Sequence, residues 1–215
     1  MVKECKVVIV GSSGVGKTSL LDRLRKNQFF EYTPSTIGST YSVVKKDLGN
    51  GDYCDIKIWD TAGQERYRAL VPLYLRNCDA ILYVYNAFDH SNCETDFWMK
   101  FIGNEYDDKK KLPLLYLIGN KIDLLMNDSN EDMIKSDVES NLNVCIPVKD
   151  HQMVSAKTGK NVNELFDKMV KDLYCQNINN NIEQISDPCS IIIENNNYEE
   201  KGYISNYLGK WCGYF

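Results

Sequence analysis

Short β-branched runs alternating with helical periods predict an α/β fold, an open and mostly parallel sheet with helices on both faces. Three observations carry this expectation. The runs Cys5-Lys6-Val7-Val8-Ile9-Val10, Ala80-Ile81-Leu82-Tyr83-Val84-Tyr85 and Leu114-Leu115-Tyr116-Leu117-Ile118 are near-continuously apolar, as strands buried on both faces must be. From Val162 to about Leu173 the apolar residues Val162, Leu165, Phe166, Met169, Val170 and Leu173 share one helical face. Gly49-Asn50-Gly51-Asp52 separates two strand-like runs, a hairpin signal that adds one antiparallel edge strand.

In chain order, the first strand ends at Gly11, and Leu20, Leu21 and Leu24 give the stretch Lys17 to Lys26 a helical face. Tyr41 to Leu48 and Tyr53 to Trp59 are the hairpin strands; in the second, Ile56 and Ile58 alternate with Asp55 and Lys57. A helix carrying Phe97, Trp98, Phe101 and Ile102 lies between the two later apolar runs. Asn127 to Asp137 is polar and acidic and reads as a loop or a short exposed helix. Past Tyr174 the composition turns Asn-rich, so residues 1–175 are expected to form one domain and 176–215 a flexible tail. Within that tail Ile191-Ile192-Ile193 could dock on a surface.

Hydrophobic residues are 43% and charged residues 26% of the 215, which excludes a wholly disordered chain. Lys+Arg 25 against Asp+Glu 30 leaves a net charge of −5, so a generic nucleic-acid binder is disfavoured and any bound phosphate needs a local device. Eight scattered cysteines and two histidines supply no zinc pattern. Lys3, Glu4 and Lys6 interrupt any leader-like N-terminus, and no apolar run nears the roughly 18–20 residues that span a bilayer. A cytoplasmic protein with reduced thiols is expected.

Gly11-Ser12-Ser13-Gly14-Val15-Gly16-Lys17-Thr18, followed by Ser19, fits the phosphate-loop pattern, with a strand before it and a helix after it. The glycines let backbone N–H groups wrap phosphates at a helix N-terminus. Lys17 would reach the β- and γ-phosphates, and the Thr18 hydroxyl would hold Mg²⁺. Asn120-Lys121-Ile122-Asp123 ends a predicted strand. A carboxylate at Asp123 can accept from N1–H and the 2-amino group of guanine, two donors that adenine lacks. Asp60-Thr61-Ala62-Gly63-Gln64-Glu65 follows the strand ending in Trp59. Asp60 there suits a contact to hydrated Mg²⁺, Gly63 N–H can approach a γ-phosphate, and Gln64 could orient an attacking water.

These three motifs, in this order, resemble the Ras superfamily of small GTPases over roughly residues 3–174. The resemblance implies a P-loop NTPase (small G-protein) fold whose open, mostly parallel sheet has six strands, one of them an antiparallel edge. It implies a switch threonine at Thr36 that joins Mg²⁺ when a γ-phosphate is present, and Phe29 packed on the guanine base. Ser155-Ala156-Lys157 matches the third base-reading motif, with the Ala156 N–H aimed at guanine O6. Ser35-Thr36-Ile37-Gly38 and the stretch from Trp59 to Arg68 look most like Rab spellings, and Tyr41, Trp59 and Tyr74 match the aromatic triad that Rab effectors read. Residues 67–76 and 161–166 resemble the early-endosomal Rab branch. Tyr41 stands where Phe is common, Asn86 where Asp is common, and residues 124–152 look longer than usual.

The implied protein is a monomeric GTP/GDP switch regulating vesicle traffic, with effectors, a GTPase-activating protein and a guanine nucleotide exchange factor as partners. Lys17 and Gln64 would carry hydrolysis, which without help in Ras-type proteins runs on the order of 10⁻⁴ s⁻¹. Cys212-Gly213-Tyr214-Phe215 has the spacing of a prenylation site. One lipid chain without a polybasic cluster predicts reversible attachment to the cytosolic face of endomembranes, with endosomes indicated by the branch resemblance. Two other readings share the phosphate loop: an ATP-using P-loop kinase or ATPase, which needs neither Asp123 nor Thr36, and a non-hydrolysing GTP-binding module, which does not need Gln64.

Overall fold

Six strands order themselves β2-β3-β1-β4-β5-β6 in one sheet, in a computed structural model that describes residues 3–48, 53–106, 111–125, 130–140, 142 and 146–185. They are β1 (Lys3–Val10), β2 (Ser39–Asp47), β3 (Tyr53–Thr61), β4 (Ala80–Asn86), β5 (Leu114–Asn120) and β6 (Val148–Met153). β2 runs antiparallel to β3 at one edge, and every other neighbouring pair is parallel. The helices are α1 (Lys17–Lys26), α2 (Val71–Leu75), α3 (Thr95–Tyr106), α4 (Asn130–Ser140) and α5 (Val162–Ile185).

Alternation along β1 divides the core. Val7 and Ile9 meet Leu20 and Leu21 of α1 and Leu165, Phe166 and Met169 of α5. Val8 and Val10 meet Val71 and Leu75 of α2, Trp98 and Ile102 of α3, and Ile134 and Val138 of α4. All four β1 residues are fully buried, because a central parallel strand has helices over both faces. The parallel strands all end toward one rim, where loops gather ligands in open α/β sheets.

Three elements differ from expectation. The acidic stretch is the helix α4, and its Ile134 and Val138 are buried rather than exposed; their spacing of four places both on one face. β6 carries no apolar signal because it is an edge strand whose buried positions are His151 and Met153. The backbone of α5 runs on through Ile185, past the helix end expected near Leu173. Asn and Gln are tolerated in a helix and no Gly or Pro interrupts those residues. The hairpin turn at 49–52, Ile191-Ile192-Ile193 and Cys212 lie outside the described residues. Among the described residues no cysteine is in a disulfide, and Cys5, Cys54 and Cys78 fill the core.

Candidate functional site

The loop after β1 turns sharply into α1. Gly16 has φ +94°, and a Cβ there would lie 2.4 Å from the Asn120 amide nitrogen, so any larger residue would drive the loop off the rim. Lys17 opens α1 almost wholly buried, and its Nζ donates to the carbonyls of Gly11 (2.9 Å) and Ser12 (2.8 Å). Burial lowers its pKa to about 8 against the opposing pull of Asp60. No acidic side chain stands in the first turn of α1, which leaves its N-terminal N–H groups and this lysine as an anion-attracting end. Gly63 closes over the same point, where a Cβ would come within 2.4 Å of Lys17 Nζ and 2.5 Å of Ser12 O.

Hard oxygen donors meet beside Lys17. Thr18 Oγ1 donates to Asp60 Oδ2 at 2.7 Å and lies 2.9 Å from Thr36 Oγ1, while Thr40 Oγ1 donates to the same Asp60 oxygen at 3.4 Å. Asp60 is fully buried, and its Oδ1 has no hydrogen-bond partner. Burial pushes its carboxyl pKa up, opposed by Thr18 and then Lys17. A buried carboxylate with an orphan oxygen among hydroxyls fits a divalent cation of the Mg²⁺ type, which prefers oxygen ligands and supplies the missing charge.

A cleft of about 400 Å³ continues from there, past Gly14 and Asn120, to Phe29, Lys121, Asp123, Ala156 and Lys157. Ser13, Gly16, Lys17, Thr18, Ser19, Thr36, Gly63 and Gln64 also line it, whereas Gly11, Ser12, Val15, Asp60 and Ser155 do not. Asn120 fastens the middle: its Nδ2 donates to Val15 O at 2.8 Å, and its Oδ1 accepts from the Ala156 N–H at 3.0 Å. The Ala156 N–H expected to face guanine O6 is thus engaged within the protein, as a buried amide must be. Ser155 Oγ donates to Asp123 Oδ1 at 2.5 Å and aligns that exposed carboxylate.

Comparison with known proteins agrees with this layout. The model of the Ras family matches residues 6–175. The chain belongs to the Ras family. GTP-binding protein ypt5 of Schizosaccharomyces pombe is 34% identical over 172 residues, 78% of this chain and 77% of that protein. GTP-binding protein YPT52 of Saccharomyces cerevisiae is 33% identical, with 79% and 81% covered. Ras-related protein Rab-5B of Plasmodium falciparum is 33% identical, with 79% and 77% covered. The chain is a small GTPase of Rab type, a switch in vesicle traffic.

Two loop segments border the cleft. Residues 27–38 have no regular secondary structure, and Tyr32 and Ile37 are exposed; the Thr36 hydroxyl is turned inward against Thr18. Gln64 lines the cleft, and its Oε1 accepts from Arg66 Nε at 2.8 Å. A 3₁₀ turn, Glu65–Leu70, follows it. Arg68 in that turn pairs with Glu94, which also accepts from Ser12 Oγ at 2.6 Å. Trp98 Nε1 donates to the same Ser12 hydroxyl at 3.2 Å. Arg68 and then Ser12 hold the Glu94 carboxyl below its usual range. No sequence signal joins Ser12, Arg68 and the Glu94–Trp98 pair, which come from three separate parts of the chain.

Beside the same loops Tyr41 and Trp59 are cross-strand partners with ring centroids 5.1 Å apart, and Tyr74 stacks on Trp59 at 5.3 Å. Tyr41 is 49% exposed, whereas Trp59 and Tyr74 are half-buried and pack against the core that holds Val71 and Leu75. No described helix is long and apolar enough to cross a membrane.

Proposed function

We propose that the cleft binds GTP and GDP with Mg²⁺, hydrolyses GTP slowly, and reports its nucleotide state through residues 27–38 and 64–75. The observation that carries this reading is the meeting of Thr18, Thr36 and the orphaned Asp60 carboxylate beside the buried Lys17 ammonium. Thr18, Thr36 and Asp60 would hold the cation, which when bound neutralises phosphate charge. Lys17 would exchange its two carbonyl partners for β- and γ-phosphate oxygens, while N–H groups of Gly14, Val15, Gly16, Thr18 and Ser19 surround them. Gly63 leaves room for a γ-phosphate, and Gln64 orients the attacking water. Asp123 reads the guanine edge, with Asn120, Lys121, Ser155, Ala156 and Lys157 shaping its pocket and Phe29 against the base.

On this reading Thr36 couples the cation to residues 27–38, so the loop is fastened while GTP is present and loosened after hydrolysis. The strip of Tyr41, Trp59 and Tyr74 adjoins those loops and is the surface we assign to effectors. Supply of a catalytic arginine by an activating protein in trans, nucleotide exchange by a second partner, and reversible endosomal membrane attachment through a prenylated Cys212 complete the cycle. Titration of GTP, GDP and ATP with Mg²⁺, followed by single-turnover phosphate release, tests the core of the proposal. Guanine nucleotides should bind far more tightly than ATP, and phosphate should appear slowly. Equal binding of ATP would point to a P-loop kinase or ATPase, and tight GTP binding with no phosphate release to a non-hydrolysing module.

A further inference from the structure

One guanidinium fastens both walls of the base end of the cleft. Arg23 stands on the last turn of α1, half-buried. Its Nε donates to Ala156 O at 2.9 Å and its Nη2 to Lys157 O at 2.5 Å. Its Nη1 donates to both the carbonyl (3.0 Å) and the side-chain oxygen (3.2 Å) of Asn27. Asn27 is the left-handed cap of α1, with φ 51°, and its N–H returns to Arg23 O at 2.9 Å. Two residues beyond it comes Phe29, which lines the cleft together with Ala156 and Lys157.

The loop Ser155–Lys157 is otherwise braced mostly by its own neighbours: Ser155 N–H donates to Lys160 O, Gly159 N–H to Ser155 O and Thr158 N–H to Ser155 Oγ. Asn120 ties it to the phosphate loop, and Arg23 ties it to the end of α1. Carbonyl oxygens of two successive residues and a third from another segment need several donors in one rigid plane, which arginine supplies and lysine does not.

We propose that Arg23 is a positioning residue for guanine selectivity, setting the spacing between the Ala156–Lys157 wall and the Phe29 wall; this rests on the nucleotide reading of the cleft. Arg23 makes no direct contact with a base in this arrangement. It acts through the backbone it holds, so its loss should weaken a nucleotide that uses the guanine edge. A nucleotide held by its phosphates alone should change little.

The test measures dissociation constants of GDP and of ADP, which has the same sugar and phosphates, for the wild type, Arg23→Met and Arg23→Lys, beside a thermal melt of each. The expected result is a GDP-over-ADP preference lowered roughly tenfold in Arg23→Met, the share of about one charge-assisted hydrogen bond. Arg23→Lys keeps the charge at the helix end and secures folding, yet serves one carbonyl, so its preference should fall at least about threefold. An unchanged preference in either folded variant, or equal loss for both nucleotides, overturns the proposal and leaves Arg23 a merely structural residue. A wild type with no preference for GDP overturns the nucleotide reading instead, and this inference with it.

Discussion

The two ends of the cleft, which we assign to the phosphates and to the base, are built on opposite principles. At the phosphate end two ionisable groups are buried: Lys17 is 6% exposed and Asp60 0%. Both have pKa values displaced by desolvation toward their neutral forms. At the base end Asp123 and Lys157 are exposed, and order comes from hydrogen bonds through Asn120, Ser155 and Arg23. Buried charge gives strength toward any polyphosphate, because its interactions act in a low dielectric. Aligned hydrogen-bonding edges give choice between ligands, because a mismatched base leaves groups unpaired. On the proposed reading, affinity and selectivity are separable in this molecule.

Breaking the base end should have the largest effect on choice. Asp123→Asn should shift preference from guanine toward xanthine nucleotides by roughly 10⁴, since the amide can donate to the extra xanthine carbonyl. Competition binding with the two diphosphates measures it, and a variant that keeps full GDP affinity and ignores xanthosine diphosphate removes Asp123 from the site. Breaking the phosphate end should lower affinity without changing choice. Lys17→Met should weaken GDP by roughly a hundredfold, the loss of charged hydrogen bonds to two phosphates.

Titration sharpens the same point. Burial lowers the folded-state pKa of Lys17 to about 8 from the ordinary lysine value of 10.5. The empty folded protein thus sheds this proton before the unfolded chain does, and its stability should rise as pH climbs between those two values. GDP affinity should move the other way, falling up to about tenfold per pH unit above 8 from the need to reprotonate Lys17. Melting curves of the ligand-free protein and of Lys17→Met across that range check the sign; the rise should be absent in the variant.

Asp60 gives a smaller contrast. Its raised carboxyl pKa means that ionised Asp60 weakens the empty fold at neutral pH, an effect that fades as pH falls and the folded state takes up the proton first. Asp60→Asn should then melt no lower than wild type in the presence of a chelator, yet lose the stabilisation that Mg²⁺ gives the wild type. The smallest expected change in nucleotide affinity belongs to the aromatic strip. Trp59→Ala should leave GDP affinity within about twofold, because its ring does not line the cleft, while removing GTP-dependent capture of effectors in a pull-down.

How much of this could be read from the chain depended on where the information lay. The strands β1, β4 and β5 announce themselves because burial on both faces demands continuous apolar runs. The phosphate loop and Asn120–Asp123 were legible because their residue types, spacing and strand-end positions coincide. β6 was hidden because an edge strand with His151 and Met153 inward has no apolar alternation to show. Arg23 and Glu94 were hidden for another reason. Each acts through a partner more than eighty residues away, and one charged side chain looks like any other until the fold brings Ala156 O to Arg23 and Ser12 Oγ to Glu94.

Separability of the two ends is most directly tested by a double-mutant cycle. GDP dissociation constants would be measured for wild type, Lys17→Met, Asp123→Asn and the combined variant at fixed Mg²⁺ and pH. Independent ends predict that the two single losses multiply to the double loss within about twofold. A double variant departing from that product by more than about tenfold would show the ends coupled and contradict the account.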